Sequence, residues 1–200
     1  MNDLEQIHSI ITNAGGVART ADFNAAGYAN SVVSDICKRG LITRLRSGYY
    51  ALPQQEQREE EIIAQLFPDG IVCQDSALFY YGYSDRTPLE WHLAFPRTVT
   101  RSRFEIAYPP IRFYMVQQGI LDLGKSKEDW NGVQLAVYDR ERTICDCFKR
   151  RSQIDSEVFA KAVNAYAADD KKNLANLSKY AKKLRVYRKV AELMEVLLNG

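Results

Sequence analysis

Residues 15–53 read G-G-V-A-R-T-A-D-F-N-A-A-G-Y-A-N-S-V-V-S-D-I-C-K-R-G-L-I-T-R-L-R-S-G-Y-Y-A-L-P, and their punctuation predicts two short helices followed by a basic hairpin. Thr20 is placed to cap a helix ending near Gly27, because a hydroxyl there can accept from the free amides of a first turn. A second helix is predicted over about Ala29–Arg39. Val33, Ile36 and Cys37 fall at i, i+3, i+4 spacing on its inner face, and Gly40 supplies the stop. Asn30, Ser31, Ser34, Asp35 and Lys38 are left facing out. Beyond Gly40, Leu41–Leu45 and Tyr49–Leu52 alternate well enough for two strands, with Ser47-Gly48 as the turn between them. Two helices and a hairpin in that order outline a winged helix-turn-helix.

Charge gives this outline a chemistry. Residues 1–53 carry five basic and four acidic side chains, and Lys38, Arg39, Arg44 and Arg46 fall within nine positions. A basic cluster at a helix end and along a wing is where a duplex backbone would be neutralised. Asn30, Ser31 and Ser34 are therefore the candidates for base edges, while Arg19, Lys38, Arg39 and Arg44 are candidates for phosphate contacts. Thr20 and Tyr28, bracketing the first helix, join the DNA-binding set. Arg46 and Ser47 sit at the predicted wing tip, where Arg46 is expected to enter a minor groove.

Working outward, the chain of 200 residues is 46% hydrophobic and 26% charged, as expected of a folded protein with one large or two small domains. No stretch has the ~20 apolar residues of a membrane span, and the opening M-N-D-L-E is acidic where a signal peptide is basic. A cytoplasmic protein without membrane contact is expected. Cys37, Cys73, Cys145 and Cys147 do not make C-x-x-C knuckles, so they read as small buried thiols, and no metal or cofactor is expected. Charge is segregated along the chain. Residues 54–139 hold eight basic and thirteen acidic side chains, whereas 140–200 hold fourteen and eight. Glu59-Glu60-Glu61 should open a helix ending before Pro68. The predicted organisation is a winged helix at 1–53, a connecting helix at 54–69 and an α+β domain at 70–200.

That last domain should combine a mixed sheet with helices. Strands are predicted at Ile71–Gln74, Glu90–Phe95, Ile111–Val116 and Val133–Tyr138. Between the first two, D-S-A-L-F-Y-Y-G reads as a short helix capped by Asp75 or Ser76 and stopped by Gly82. From Arg140 onward the apolar residues recur at helical spacing to the C-terminus. There Lys179, Lys182, Lys183, Arg185, Arg188 and Lys189 form a possible second basic surface, for phosphates or an acidic partner.

Several separated motifs carry a family resemblance. A-R-T-A-D-F with K-R-G-L-I-T-R-L-R-S-G-Y-Y-A-L-P, then D-S-A-L-F-Y-Y-G-Y-S-D-R-T-P with L-A-F-P-R, then D-R-E-R-T-I-C-D, together resemble the AbiEi family of antitoxins and transcriptional regulators. The resemblance runs from roughly Gly16 to Val196. It implies a winged-helix DNA-binding protein with an α/β C-terminal domain that represses its own operon at inverted repeats. It also implies functional pairing with a nucleotidyltransferase toxin, without a stable complex. Where many members have His and Pro, this chain has Asp75 and Arg140, so a stand-alone regulator without a toxin is an alternative.

Two further readings come from other classes. The winged helix could be a protein-interaction module whose C-terminal domain inhibits a toxin directly. A metal-dependent nuclease would use Asp139, Glu141 and Asp146, but Arg140 and Arg142 interleave with these acids as in a helix first turn whose charges pair internally. Tyr80, Tyr81 and Tyr83 read as core and rim aromatics. His8 and His92 are far apart in sequence, and no catalytic triad or phosphate loop can be assembled, so no enzyme is expected.

Overall fold

The computed structural model describes residues 3–53 and 58–199, and they fall into two compact units. The first comprises residues 1–68, Thr100–Pro110 and Asn131–Val133; the second holds the rest. Three helices and three strands open the first unit: α1 (Asp3–Asn13), β1 (Val17–Arg19), α2 (Thr20–Ala25), α3 (Asn30–Lys38), β2 (Thr43–Arg46) and β3 (Tyr49–Ala51). Ile7, Ile11, Phe23, Val33, Ile36 and Ile42 meet in a buried core, where the Phe23 ring stands edge-on to Tyr28 and Tyr50. Each such side chain contributes roughly 1.5–3 kcal/mol when taken out of water. That burial holds α3 in place, because its apolar stripe is only Val33 and Ile36 wide.

Two local expectations are corrected. Thr20 does not cap α2: it is the first helical residue, and the Asp22 carboxylate accepts from the Arg19 N–H instead (2.6 Å). Thr20 N–H donates to the Gly48 carbonyl at the hairpin turn (3.0 Å). β1, which was not expected, pairs with β3, so the sheet order is β1-β3-β2 with β3 in the centre. Three residues, V-A-R, are too few to register as an alternation.

The outer edge of β2 is closed by residues from much later in the chain. A bulge lets Leu45 slip between the Arg44–Tyr50 and Arg46–Tyr49 pairs and turn into the core. Its carbonyl accepts from Ala107 N–H (2.8 Å). The segment 100–110 begins with a 3₁₀ turn, Arg101–Phe104, and is anchored by Phe104 stacking on Phe67 and by the Tyr108 hydroxyl donating to Glu59. Of the connector expected at 54–69, residues 54–57 lie outside the described residues. The remainder forms α4 (Glu59–Leu66), which buries Ile62, Ile63 and Leu66 and belongs to the first unit.

The second unit is an α+β arrangement around a five-stranded mixed sheet. Its strands are β4 (Ile71–Val72), β5 (Trp91–Pro96), β6 (Ile111–Val116), β7 (Lys125–Trp130) and β8 (Val133–Tyr138, its first residue in the first unit), in the order β6-β5-β4-β8-β7. β4 runs antiparallel to β5 and parallel to β8, and β5 is parallel to β6. β6 and β8 occupy the predicted spans. β7 was not expected, since K-S-K-E-D-W has almost no apolar alternation and its side chains are exposed or half-buried. Asn131 and Gly132, both at positive φ (53° and 85°), make the two-residue turn that follows it.

Helices supply the rest of the second unit: α5 (Gln74–Tyr80), α6 (Gln118–Leu121), α7 (Arg140–Lys149), α8 (Ser156–Ala168), α9 (Leu174–Leu184) and α10 (Tyr187–Asn199). Asp139, Asp155 and Asn173 cap α7, α8 and α9 by accepting from first-turn amides. α5 is different. Cys73 holds its cap position without a side-chain bond, and Ser76, expected as a cap, accepts from His92 N–H instead (3.0 Å). Ile144, Cys145, Phe148, Val163, Tyr166 and Leu177 centre the helical core. All four cysteines are free; Cys73, Cys145 and Cys147 are buried and Cys37 is half-buried.

Candidate nucleic-acid interface

The outer face of α3 is built by subtraction. With Val33 and Ile36 committed to the core, Asn30, Ser31, Ser34, Asp35 and Lys38 are exposed, and Arg39 follows as the C-cap. Gly40, at φ +73°, turns the chain away from the helix end and toward β2. Short hydroxyl and amide side chains, followed by two cations one to two turns later, can hydrogen-bond base edges and neutralise backbone phosphates.

On the hairpin the predicted residues diverge. Arg44 and Ser47 are exposed. Arg46 is half-buried: its guanidinium lies 4.1 Å from the centre of the Tyr49 ring, Nη1 reaches the Arg103 carbonyl at 3.5 Å, and Nε is buried without a partner. The guanidinium expected to enter a minor groove is thus engaged by Tyr49 and the 3₁₀ turn. Arg19 shares the same ring at 5.6 Å and is exposed, so Tyr49 carries two guanidinium groups. Tyr28 is half-buried and its hydroxyl donates to Gln6 (2.9 Å), which occupies the group it would offer a ligand. Thr20 is half-buried at the start of α2.

Sequence reasoning missed Arg101 and Arg103. Both belong to the first unit through the 100–110 segment; Arg101 is exposed, and Arg103 reaches the Leu66 carbonyl (3.4 Å). The R-S-R spacing was visible in the chain, but nothing local ties it to a hairpin 55 residues earlier in sequence.

Asp139, Glu141 and Asp146, the acids a metal-dependent nuclease would use, are distributed among separate internal partners. Asp139 caps α7 and accepts from the Tyr180 hydroxyl (3.1 Å). Burial, reinforced by the neighbouring Glu141 charge, pushes its carboxyl up to about 6, although hydrogen bonds from Arg142 N–H and Tyr180 pull the other way. Glu141 accepts from Tyr166 and from Asn173 N–H, Asp146 pairs with Arg142, and Arg140 pairs with Asp169. Arg140 and Glu141 thus find partners outside α7, whereas Arg142 pairs within it. No group of three His, Cys, Asp or Glu side chains among the described residues could hold a metal ion. Tyr83 is in the core, as expected, with Tyr80 and Tyr81 half-buried beside it. His92 is buried, and its Nδ1 accepts from Asp75 N–H.

In the second basic surface, Lys179, Lys182, Lys183, Arg185, Arg188 and Lys189 are all exposed on α9, the link after it and α10. Arg188 pairs with Glu192, and Lys182 lies over the Tyr187 ring. No helix among the described residues is long and apolar enough to cross a membrane.

No family model and no curated protein matches the chain. Among solved structures it is similar to the RV2827C protein from Mycobacterium tuberculosis, with a TM-score of 0.69 at 14% identity, over 96% of this chain and 79% of that one. At that identity the likeness shows a shared fold.

Proposed function

We propose that this protein binds operator duplex DNA through a winged helix-turn-helix formed by α2, α3 and the β2–β3 hairpin, and acts as a sequence-specific transcriptional regulator. The observation that carries this reading is the outer face of α3. It presents Asn30, Ser31, Ser34 and Lys38 to solvent on a helix whose opposite face is fixed in a core. A rigid helix with short hydrogen-bonding side chains is suited to a major groove, and exposed Arg19, Arg39 and Arg44 supply phosphate contacts beside it. The family resemblance extends the reading to autorepression at inverted repeats and to antitoxin action alongside a nucleotidyltransferase toxin. The chemistry is reversible binding.

A titration against DNA from immediately upstream of the protein's own gene, at two salt concentrations and with an unrelated duplex as control, tests this. Salt-sensitive preference for the upstream fragment is expected. Equal weak binding to both duplexes rejects the operator reading. Within a bound complex, Asn30→Ala should reduce discrimination at one or two base positions by roughly 1–3 kcal/mol, read from a panel of substituted operators.

A further inference from the structure

We propose that a cavity over one face of the second unit's sheet binds a small polyphosphorylated molecule of nucleotide size. Its floor comes from neighbouring strands: Ala94 on β5, Tyr114 opposite it on β6, Tyr138 on β8, and Cys73 just after β4. Arg142 and Asp146 of α7 form a wall, and Arg97, Lys149, Arg150, Lys183 and Arg185 complete the lining. The volume is about 830 Å³, within the range of small-molecule and cofactor sites and far larger than one phosphate requires.

Charge selects the ligand. Among the described residues Asp146 is the one carboxylate in the lining, and it is bound to Arg142 (3.1 Å), which leaves five cations without an acid there. Elsewhere on this unit some exposed cations find acids, as Lys161 meets Asp85, Arg86 meets Glu157 and Lys125 meets Asp122, and those without an acid among the described residues, such as Lys127, Lys171 and Lys189, do not line this cavity. Arg97, Lys149, Lys183 and Arg185 have no ion pair among the described residues. The adjoining cavity, about 420 Å³, makes the contrast. It faces Asp75, Glu90 and Asp155 beside Arg86 and Arg112, with Arg150 shared between the two cavities.

Two of the guanidinium groups are held in place by the protein. Arg142 is 2% exposed; Nε holds Asp146, Nη1 donates to the Ile120 and Leu123 carbonyls, and the plane lies 4.0 Å from the Tyr138 ring centre. Nη2 has no hydrogen-bond partner among the described residues. Arg150 is clamped in the same way, 4.4 Å from the Tyr114 ring centre, with Nε and Nη2 on Gln153. Forks fixed in this manner lose little further freedom when they meet phosphate oxygens. Clustered phosphates match five cations better than a single anionic group does.

Calorimetry on the full chain at fixed ionic strength, using pyrophosphate, ADP and adenosine, tests the proposal. Pyrophosphate and ADP should bind saturably at one site, and adenosine should not. Arg97→Glu and Lys149→Glu, both exposed, should each weaken ADP binding at least about 10-fold without lowering the melting temperature of the ligand-free protein. Lys171→Glu, outside the cavity, should leave it unchanged. The proposal fails if neither phosphate compound gives a saturable signal, or if both cavity variants bind ADP normally. Displacement of ADP by a short duplex would overturn it in favour of a DNA-contacting surface.

Discussion

Arg46 is held from two sides, by the Tyr49 ring and by the Arg103 carbonyl, whereas Arg44, two residues earlier on the same strand, stands in solvent. The two arginines should therefore separate in mutation. Arg44→Ala is expected to reduce the log-log salt slope of DNA binding by about 1 with little effect on stability. Arg46→Ala is expected to lower stability by ~1 kcal/mol, through loss of the cation–ring contact, and to change the slope less. Denaturant titration and binding at several salt concentrations measure both effects. Gly124 shows a second kind of constraint. It sits at φ +74°, and a Cβ there would come 2.5 Å from the Arg142 Cβ and 2.9 Å from an Asp139 oxygen. Gly124→Ala should lower stability by more than about 2 kcal/mol in urea unfolding, combining left-handed strain with a clash against backbone-proximal atoms. Asp139 supplies a pH signature. Its carboxyl is raised in the folded state, so the fold retains the proton longer than the unfolded chain does. This group's contribution to stability therefore falls as pH rises from about 4 to about 6. Asp139→Asn should remove that decline, visible as a flatter stability curve than wild type across the window.

At the scale of elements, β2 shows how an edge strand is protected. Ala107 N–H caps the Leu45 carbonyl, and the rest of the 100–110 segment is pinned by Phe104 and Tyr108. Ala107→Pro removes that donor, so it should destabilise the first unit and expose the hairpin edge to pairing with another chain. Light scattering at rising concentration would reveal the association. The same segment marks the limit of what was legible in the sequence. α3, the hairpin, β6 and β8 were readable because their apolar residues recur at the period of the element and because glycine marks their ends. β1 is too short to show a period, and β7 is too polar; the Asn131-Gly132 turn after it was its one available signal. The 100–110 segment forms no strand of its own and belongs to the first unit only through contacts distant in sequence. For the same reason the outer face of α3 could be read from the chain, while the withdrawal of Arg46 and the nearness of Arg103 could not. The basic cavity escaped too. Its cations come from Arg97, α7 and the end of α9, and only the fold assembles them.

For the whole molecule, the division at residue 53 was too simple. The first unit takes α4, residues 100–110 and residues 131–133, where Asn131 donates to Glu60 and its carbonyl accepts from Arg58. A fragment ending at residue 68 should therefore melt at lower temperature than the same unit within the full chain, measured by circular dichroism. Equal melting would mean that the later segments add nothing to it. Closure of the β2 edge by Ala107 also bears on the order of events during synthesis. A ribosome making this protein releases α3 and the hairpin early, but their supporting segment only after Asp69–Val99 of the second unit has been translated. If the hairpin serves DNA recognition, the nascent chain passes through an interval in which its reading head is exposed yet unfinished, and competence to bind waits for a stretch some fifty residues further along.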